Sequence, residues 1–302
     1  MAAVASADRW EIKMGEKGYP QALLELAHPP EVVYGRGDPS ALAGPCLSVV
    51  GSRRATPYGL TIAEMAARVA VGHGITVVSG GAMGCDHAAS AAALRSGGRT
   101  VIVSGCGADA VYPQSSRDIY DGAVEAGGAV ISEQRWVTGP RRWAFPRRNA
   151  MIAALSEVLV VTEAGPRSGT LSTAEAAAEL GRVVYAIPGS IFSPNSAGTN
   201  RLIADGARVI PDEQTLSVAL SLDYGAAVLA PDPSRRNAGP VMGALLASSA
   251  RPDELATRLG ESVLTVLRTL TDFEARGLVE RLPDGRYAVT RAYLLGEAGA
   301  RP

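Results

Sequence analysis

Between Cys46 and about Leu222, short β-branched runs alternate with alanine-rich stretches, and this alternation constrains the fold more than any other feature of the 302-residue chain. The expected strands are Leu47–Val50, Ile75–Ser79, Thr100–Ser104, Ala129–Ser132, Val158–Thr162, Val183–Ile187 and a short Arg208–Ile210. Helices fill most of the gaps, the clearest being Pro57–Gly72, Asp86–Arg95 and Thr170–Leu180. Repeated strand-helix-strand units imply the α/β class, with a doubly wound, mostly parallel sheet covered by helices on both faces. The 47% apolar content suffices for such a core, and the length suggests one large domain with a small one.

Residues 1–44 carry scattered apolar residues and prolines and read as an extension packed on the main domain, which spans 45–222. Residues 223–239, with Pro231, Pro233 and a polar run from Ser234 to Asn237, read as a linker. Beyond it, 240–292 offers helices at Val241–Ala247, Pro252–Leu259 and Val263–Arg276, then a hairpin turning at Pro283–Asp284–Gly285; residues 293–302 are a tail. Three helices and a hairpin describe a winged helix. Its third helix presents Arg268 and Arg276, but Glu261, Asp272, Glu274 and Glu280 balance them, which favours protein contact over groove reading.

A formal net charge of −1 gives no global attraction to polyanions, so a nucleic-acid site must come from local clustering of cations. Lys13 and Lys17 are the only lysines. Arginine suits bidentate phosphate contact, although a biased genome gives the same imbalance. Cys46, Cys85 and Cys106 lack paired spacing and His28, His73 and His87 lie far apart, arguing against a disulfide framework and a metal site. Met1–Trp10 has no apolar leader core and the longer apolar runs are soon broken, so the expectation is a cytoplasmic protein with no membrane segment.

Four glycine-bearing loops follow expected strands: Gly51–Ser52–Arg53, Ser79–Gly80–Gly81 through Gly84, Gly105–Cys106–Gly107, and Arg167–Ser168–Gly169–Thr170. In a parallel sheet these converge on the carboxyl edge, where such folds bind ligands. Thr56–Pro57 places an N-cap and a first-turn proline after the first loop, so a helix N-terminus there, with Arg53 beside it, is expected to hold an anion. No dinucleotide or nucleoside-triphosphate fingerprint occurs in these loops, and no cofactor is expected. The stretch Arg135–Asn149 holds five arginines with Trp136, Trp143 and Phe145. Cations beside aromatic rings are the two parts of a single-strand site, whereas the alternative is a surface loop pinned by Trp143 and Phe145. Of the three rings, Trp136 reads as the core residue.

Tyr19–Pro20, Val49–Val50–Gly51–Ser52–Arg53, Tyr58–Gly59, Val78–Ser79–Gly80, Tyr112–Pro113, Ile131–Ser132–Glu133, Phe145–Pro146–Arg147–Arg148–Asn149, Ser168–Gly169–Thr170, Ile187–Pro188–Gly189 and Gly198 through Ala207 resemble, in order and spacing, the DprA/Smf family of DNA-processing proteins. The resemblance implies a Rossmann-like domain that binds single-stranded DNA in natural transformation, protects incoming strands, loads a RecA-type recombinase and forms a homodimer. It implies a site of Gly51, Ser52, Arg53, Ser79, Gly80, Gly81, Arg142, Phe145, Arg147, Arg148, Asn149, Ser168, Gly169 and Thr170. Arg53 and Arg142 would hold phosphates and Phe145 would stack on a base. The chain departs from the family at Ala150, where an arginine is usual, and at Cys85–Asp86–His87. Asp86 then either joins the pocket or merely caps its helix.

Two other readings compete. LOG-type nucleoside monophosphate hydrolases carry a Gly-Gly-x-Gly-Thr-x-x-Glu loop, but here Thr173 stands where their glutamate would, and no catalytic residue is assigned. The third reading is a regulatory protein whose pocket senses a small nucleotide.

Overall fold

The structure, a computed structural model, describes residues 9–225 and 239–294. The chain divides into two compact units, one within residues 1–228 and the other within 229–302. In the first, nine strands form one sheet in the order β1-β2-β6-β5-β4-β3-β7-β8-β9. Strands β3 (Cys46–Val50), β4 (Thr76–Ser79), β5 (Thr100–Val103), β6 (Ala129–Ser132) and β7 (Val158–Val161) are buried at every position. That uniform burial explains their continuous β-branched sequences, since both faces are covered. From β6 to β9, through β8 (Val183–Ala186) and β9 (Arg208–Val209), all neighbours pair in parallel. The expected doubly wound sheet is thus present, with strand ends within about one residue of those read from the sequence.

Helices α1 (Pro57–Gly72), α2 (Cys85–Arg95), α3 (Arg117–Glu125) and α7 (Glu213–Tyr224) cover one face. Their alanines have a packing role: Ala63, Ala66, Ala67 and Ala70 of α1 and Ala88, Ala89, Ala92 and Ala93 of α2 are all buried in one core, so the two helices sit close together. On the other face, α4 (Ala144–Ala154) and α5 (Thr170–Glu179) bury Met151, Ile152, Ala174 and Ala177 against Val50, Val78, Val101 and Val161. Helix α6 (Ala197–Ala204) adds Leu202 to that side.

The N-terminal segment differs from its expected role. Rather than resting on the sheet it joins it: β1 (Arg9–Lys13) pairs antiparallel with β2 (Val32–Gly37), and β2 pairs antiparallel with β6. Trp10 lies across Gly35, where any side chain would collide with the indole, and its Nε1 donates to the Gly37 carbonyl at 2.9 Å. Arg36, 4% exposed, reaches Asp109 at 3.5 Å, and Arg9 reaches the same carboxylate at 2.6 Å. Two isolated strand-like pieces separated by prolines give no alternation long enough to signal sheet membership, which long-range pairing supplies.

The second unit comprises α8 (Gly239–Ala247), α9 (Pro252–Leu259), α10 (Val263–Ala275), the antiparallel pair β10 (Val279–Arg281) and β11 (Tyr287–Val289), and a short α11 (Arg291–Leu294). Met242, Leu245, Leu255, Val266, Leu270, Leu278 and Tyr287 form its own core. Helix α7 continues to Tyr224 and is capped by Gly225 at φ +63°, so the first three residues expected in the linker close a helix, and Gly239, its last, opens α8; 226–238 lie outside the described residues, as does the tail from 295.

Candidate nucleic-acid interface

Parallel strands deliver the loops after β3, β4, β7 and β8 to one edge of the sheet, where they border a cleft of about 650 Å³. Gly51, Ser52, Arg53, Ser168, Gly169 and Thr170 lie on its walls, together with Arg148 and Asn149 from α4. The loops are tied to one another. Thr170 Oγ1 donates to the Gly51 carbonyl (2.9 Å), and Ser168 Oγ donates to Thr170 Oγ1 (3.0 Å). The Cys85 amide donates to the Ser52 carbonyl (3.1 Å), and Asn149 Nδ2 bridges to Gly169 O (3.3 Å) and Ser172 Oγ (3.0 Å). These bonds fix the cleft before any ligand arrives, which lowers the ordering cost of binding.

The anion site expected at the start of α1 is already occupied by the protein itself. Thr56 caps α1 by accepting from the Gly59 amide, while its own amide and hydroxyl donate to the buried carboxylate of Glu163, which follows β7. A carboxylate at a helix N-terminus satisfies the positive end of the macrodipole. The Thr56 donors are thus satisfied within the protein, and the Arg53 guanidinium lies over the Phe145 ring. Nothing local to Thr56–Pro57 reveals a partner 107 residues away.

The centre of the cleft is Arg148. It is 3% exposed, with its Nη1 3.8 Å from the Asp86 carboxylate, and its Nε and Nη1 find no hydrogen-bond acceptor. A buried guanidinium with unbonded N–H groups carries a desolvation cost that an anion would relieve. Burial lowers its basicity, opposed first by Asp86, although a guanidinium remains charged. Burial likewise pushes the Asp86 carboxyl up, against the pull of Arg148 and of the Gly51 and Ala82 amides that donate to it. Gly80 is a glycine because any side chain would strike the Arg148 guanidinium. Gly81, at φ +65°, has Ile102 and Tyr120 where a Cβ would stand.

The Arg135–Asn149 stretch does not act as one unit. Helix α4 starts at Ala144, and its period puts Arg148, Asn149 and Ile152 on the cleft wall, while Phe145 lines a smaller adjoining pocket of about 70 Å³ with Gly80, Tyr112, Arg53 and Arg148. The Phe145 ring lies 5.7 Å from the Arg53 guanidinium carbon, 6.0 Å from that of Arg148 and 5.9 Å from the Tyr112 ring. Arg147, one step round the helix, instead pairs with Glu133 at 2.8 Å, outside the cleft walls. Arg142 is exposed and also outside those walls. Ser79 is wholly buried, its hydroxyl donating to Val49 O at 2.7 Å, so it supports the loop without lining the cleft. Trp143 is half exposed, whereas Trp136 packs edge-on to Tyr34 at 5.4 Å. Among the wall residues outside the expected set, three are charged: Arg54, Arg167 and the organiser Asp86. The first and second adjoin named residues and were legible by position. Asp86 is marked by its burial, which the sequence does not show. His87 faces away and pairs with Asp118 at 3.0 Å.

Among the described residues no cluster of three metal-ligating side chains occurs, and no helix is long and apolar enough to cross a membrane. The three cysteines are free and buried; burial pushes the Cys85 thiol up to about 12.

The chain is similar to known proteins in sequence and in fold. The family model for DNA recombination-mediator protein A matches residues 10–221, and that for the HVO_A0261 N-terminal domain matches 229–298. Protein Smf of Escherichia coli (strain K12) is 33% identical over 285 residues, 91% of this chain and 76% of that protein. Protein Smf of a Synechocystis strain is 38% identical but has only 54% of its length covered. The solved structure of DNA processing protein A from Streptococcus pneumoniae superposes with a TM-score of 0.65 at 36% identity, covering 69% of this chain and 73% of that one. That of DNA processing protein A from Helicobacter pylori, which concerns that protein's single-stranded DNA binding mode, gives 0.64 at 30% identity, covering 72% and 97%. With a family model spanning most of the chain and relatives this similar, the chain belongs to the DprA/Smf family of DNA-processing proteins.

Proposed function

We propose that this chain binds single-stranded DNA in the arginine cleft without catalysis, and that in the cytoplasm of a transformable cell it protects incoming strands and passes them to a RecA-type recombinase. The observation that carries this reading is Arg148, buried with two unbonded nitrogen positions beside Phe145 and Arg53. A phosphate supplies the missing acceptors, and the flanking ring offers a stacking face, the pairing that single-strand sites use. Contacts of this kind carry little base information, so binding is largely independent of sequence. Against hydrolysis, Thr173 lies on the cleft wall where a LOG-type enzyme needs a carboxylate. Assembly is as a homodimer through the Rossmann-like unit. The three helices and hairpin of the second unit form a winged helix that contacts protein, because α10 exposes Val263, Leu264 and Leu267 beside mixed charges.

Fluorescence anisotropy with a labelled single strand and a duplex of the same sequence tests the reading. Wild type binds the single strand more tightly than the duplex, and Arg53→Ala and Phe145→Ala each weaken single-strand binding by about 1–3 kcal/mol. Undiminished binding by both variants would reject the cleft as the site; binding of a mononucleotide but no strand would favour a sensor.

A further inference from the structure

The most exposed of the large apolar side chains among the described residues lie at the tip of the loop after β8. Phe192 is 90% exposed and Ile191 83%. Such exposure on a large ring is costly unless something covers it, and a floppy loop would be the simplest explanation. This loop is held instead. At its base Asn200 clamps Gly189, accepting from its amide at 3.1 Å and donating to its carbonyl at 3.0 Å, and Tyr58 donates to Pro188 O at 2.7 Å. At the tip, the amides of Phe192 and Ser193 donate to the hydroxyl and carbonyl of Ser190 at 3.3 and 3.0 Å. The descending limb runs through Pro194 to Asn195, itself a wall residue of the cleft. Phe192 is three residues from that wall, a reach of at most about 10 Å.

The sheet order fixes where this tip lies along the cleft. The loops of β5, β4, β3, β7 and β8 follow one another along the carboxyl edge. Phe145 and Tyr112 mark the β5 and β4 end, beside Gly80 and Gly105; Arg53, Arg54, Arg148 and Arg167 occupy the middle; Phe192 stands at the β8 end. Four strand spacings of roughly 4.8 Å separate the outer loops, about 19 Å. At the roughly 3.4 Å rise of a stacked strand this distance corresponds to about six nucleotides, and to fewer if the strand is stretched.

We propose that Phe192, supported by Ile191, is a second base-stacking platform, which receives a nucleobase of the strand as it leaves the arginine cleft past Arg167 and Asn195. The inference rests on the single-strand reading given above. Its occupant is a nucleobase because the exposed ring stands three residues from Asn195, at the end of a cationic groove, and a phosphate chain tracked by arginines brings a base to the groove's end. The platform lengthens the strand that one protomer holds from about four nucleotides, across the three spacings from β5 to β7, to about six.

The test is a length series of oligothymidines, from four to twelve nucleotides, measured by competition against a labelled twelve-mer with the full chain and with Phe192→Ala, Phe192→Leu, Phe192→Trp and Arg53→Ala. Phe192→Ala and Phe192→Leu are expected to bind the twelve-mer about tenfold more weakly and the tetramer unchanged, while Phe192→Trp binds both as wild type does. Arg53→Ala weakens every length. If the Phe192 variants match wild type at every length while Arg53→Ala still loses affinity, this inference fails and the central site stands. If wild type binds no strand, both fall. A loss in Phe192→Ala that tracks a drop in molar mass by light scattering would overturn the stacking role in favour of a contact between copies.

Discussion

At the scale of single residues, the cleft is built on a buried pair that does not neutralise itself well. Arg148 and Asp86 approach to 3.8 Å, beyond a direct hydrogen bond. The Asp86 carboxyl is pushed above its ordinary range by burial, which Arg148 only partly offsets. The folded state therefore holds a proton that the unfolded state releases at about pH 3.9. Stability is unpenalised below that value and falls as the pH rises from there through the folded pKa. Wild type should lose stability relative to Asp86→Asn as the pH rises above about 4, the range in which the unfolded carboxyl releases the proton that the folded one keeps. Parallel stability curves would show that Asp86 is already fully compensated. Gly80, Phe145 and Arg148 are legible as members of a glycine-bearing loop and of a motif that resembles a known family, both of which are patterns of sequence and need no knowledge of burial. Asp86 is not, because a carboxylate in the first turn of a helix reads as a cap unless its burial is known.

At the scale of elements, helix ends and helix phase decide which predicted residues meet. The N-terminus of α1 points at Glu163 rather than at solvent, so the strongest anion signal in the sequence is satisfied internally. Glu163→Gln should cost about 1–2 kcal/mol in urea unfolding and leave single-strand affinity within about twofold. A larger change in affinity with unchanged stability would put Glu163 in the binding site. Helix α4 makes the complementary point. A run of five arginines and three rings reads as one basic loop, yet winding it from Ala144 onward sends Arg148 inward and Arg147 out to Glu133. The central strands were readable because burial on both faces imposes an unbroken apolar run. Strands β1 and β2 were not, because their place depends on pairing with β6, about a hundred residues later.

At the scale of the whole molecule, a nearly neutral chain presents a concentrated cation field: net charge is −1, but Arg53, Arg54, Arg148 and Arg167 all face one cleft. Composition hides such a site, and only the parallel topology that gathers distant loops reveals it. The salt dependence of single-strand binding measures that field directly. Four phosphate contacts predict a slope of log K against log salt of about −3 for wild type, reduced by about 0.7 in Arg167→Ala. A slope near zero, or one that Arg167→Ala leaves unchanged, would contradict a cleft that holds a nucleic-acid backbone.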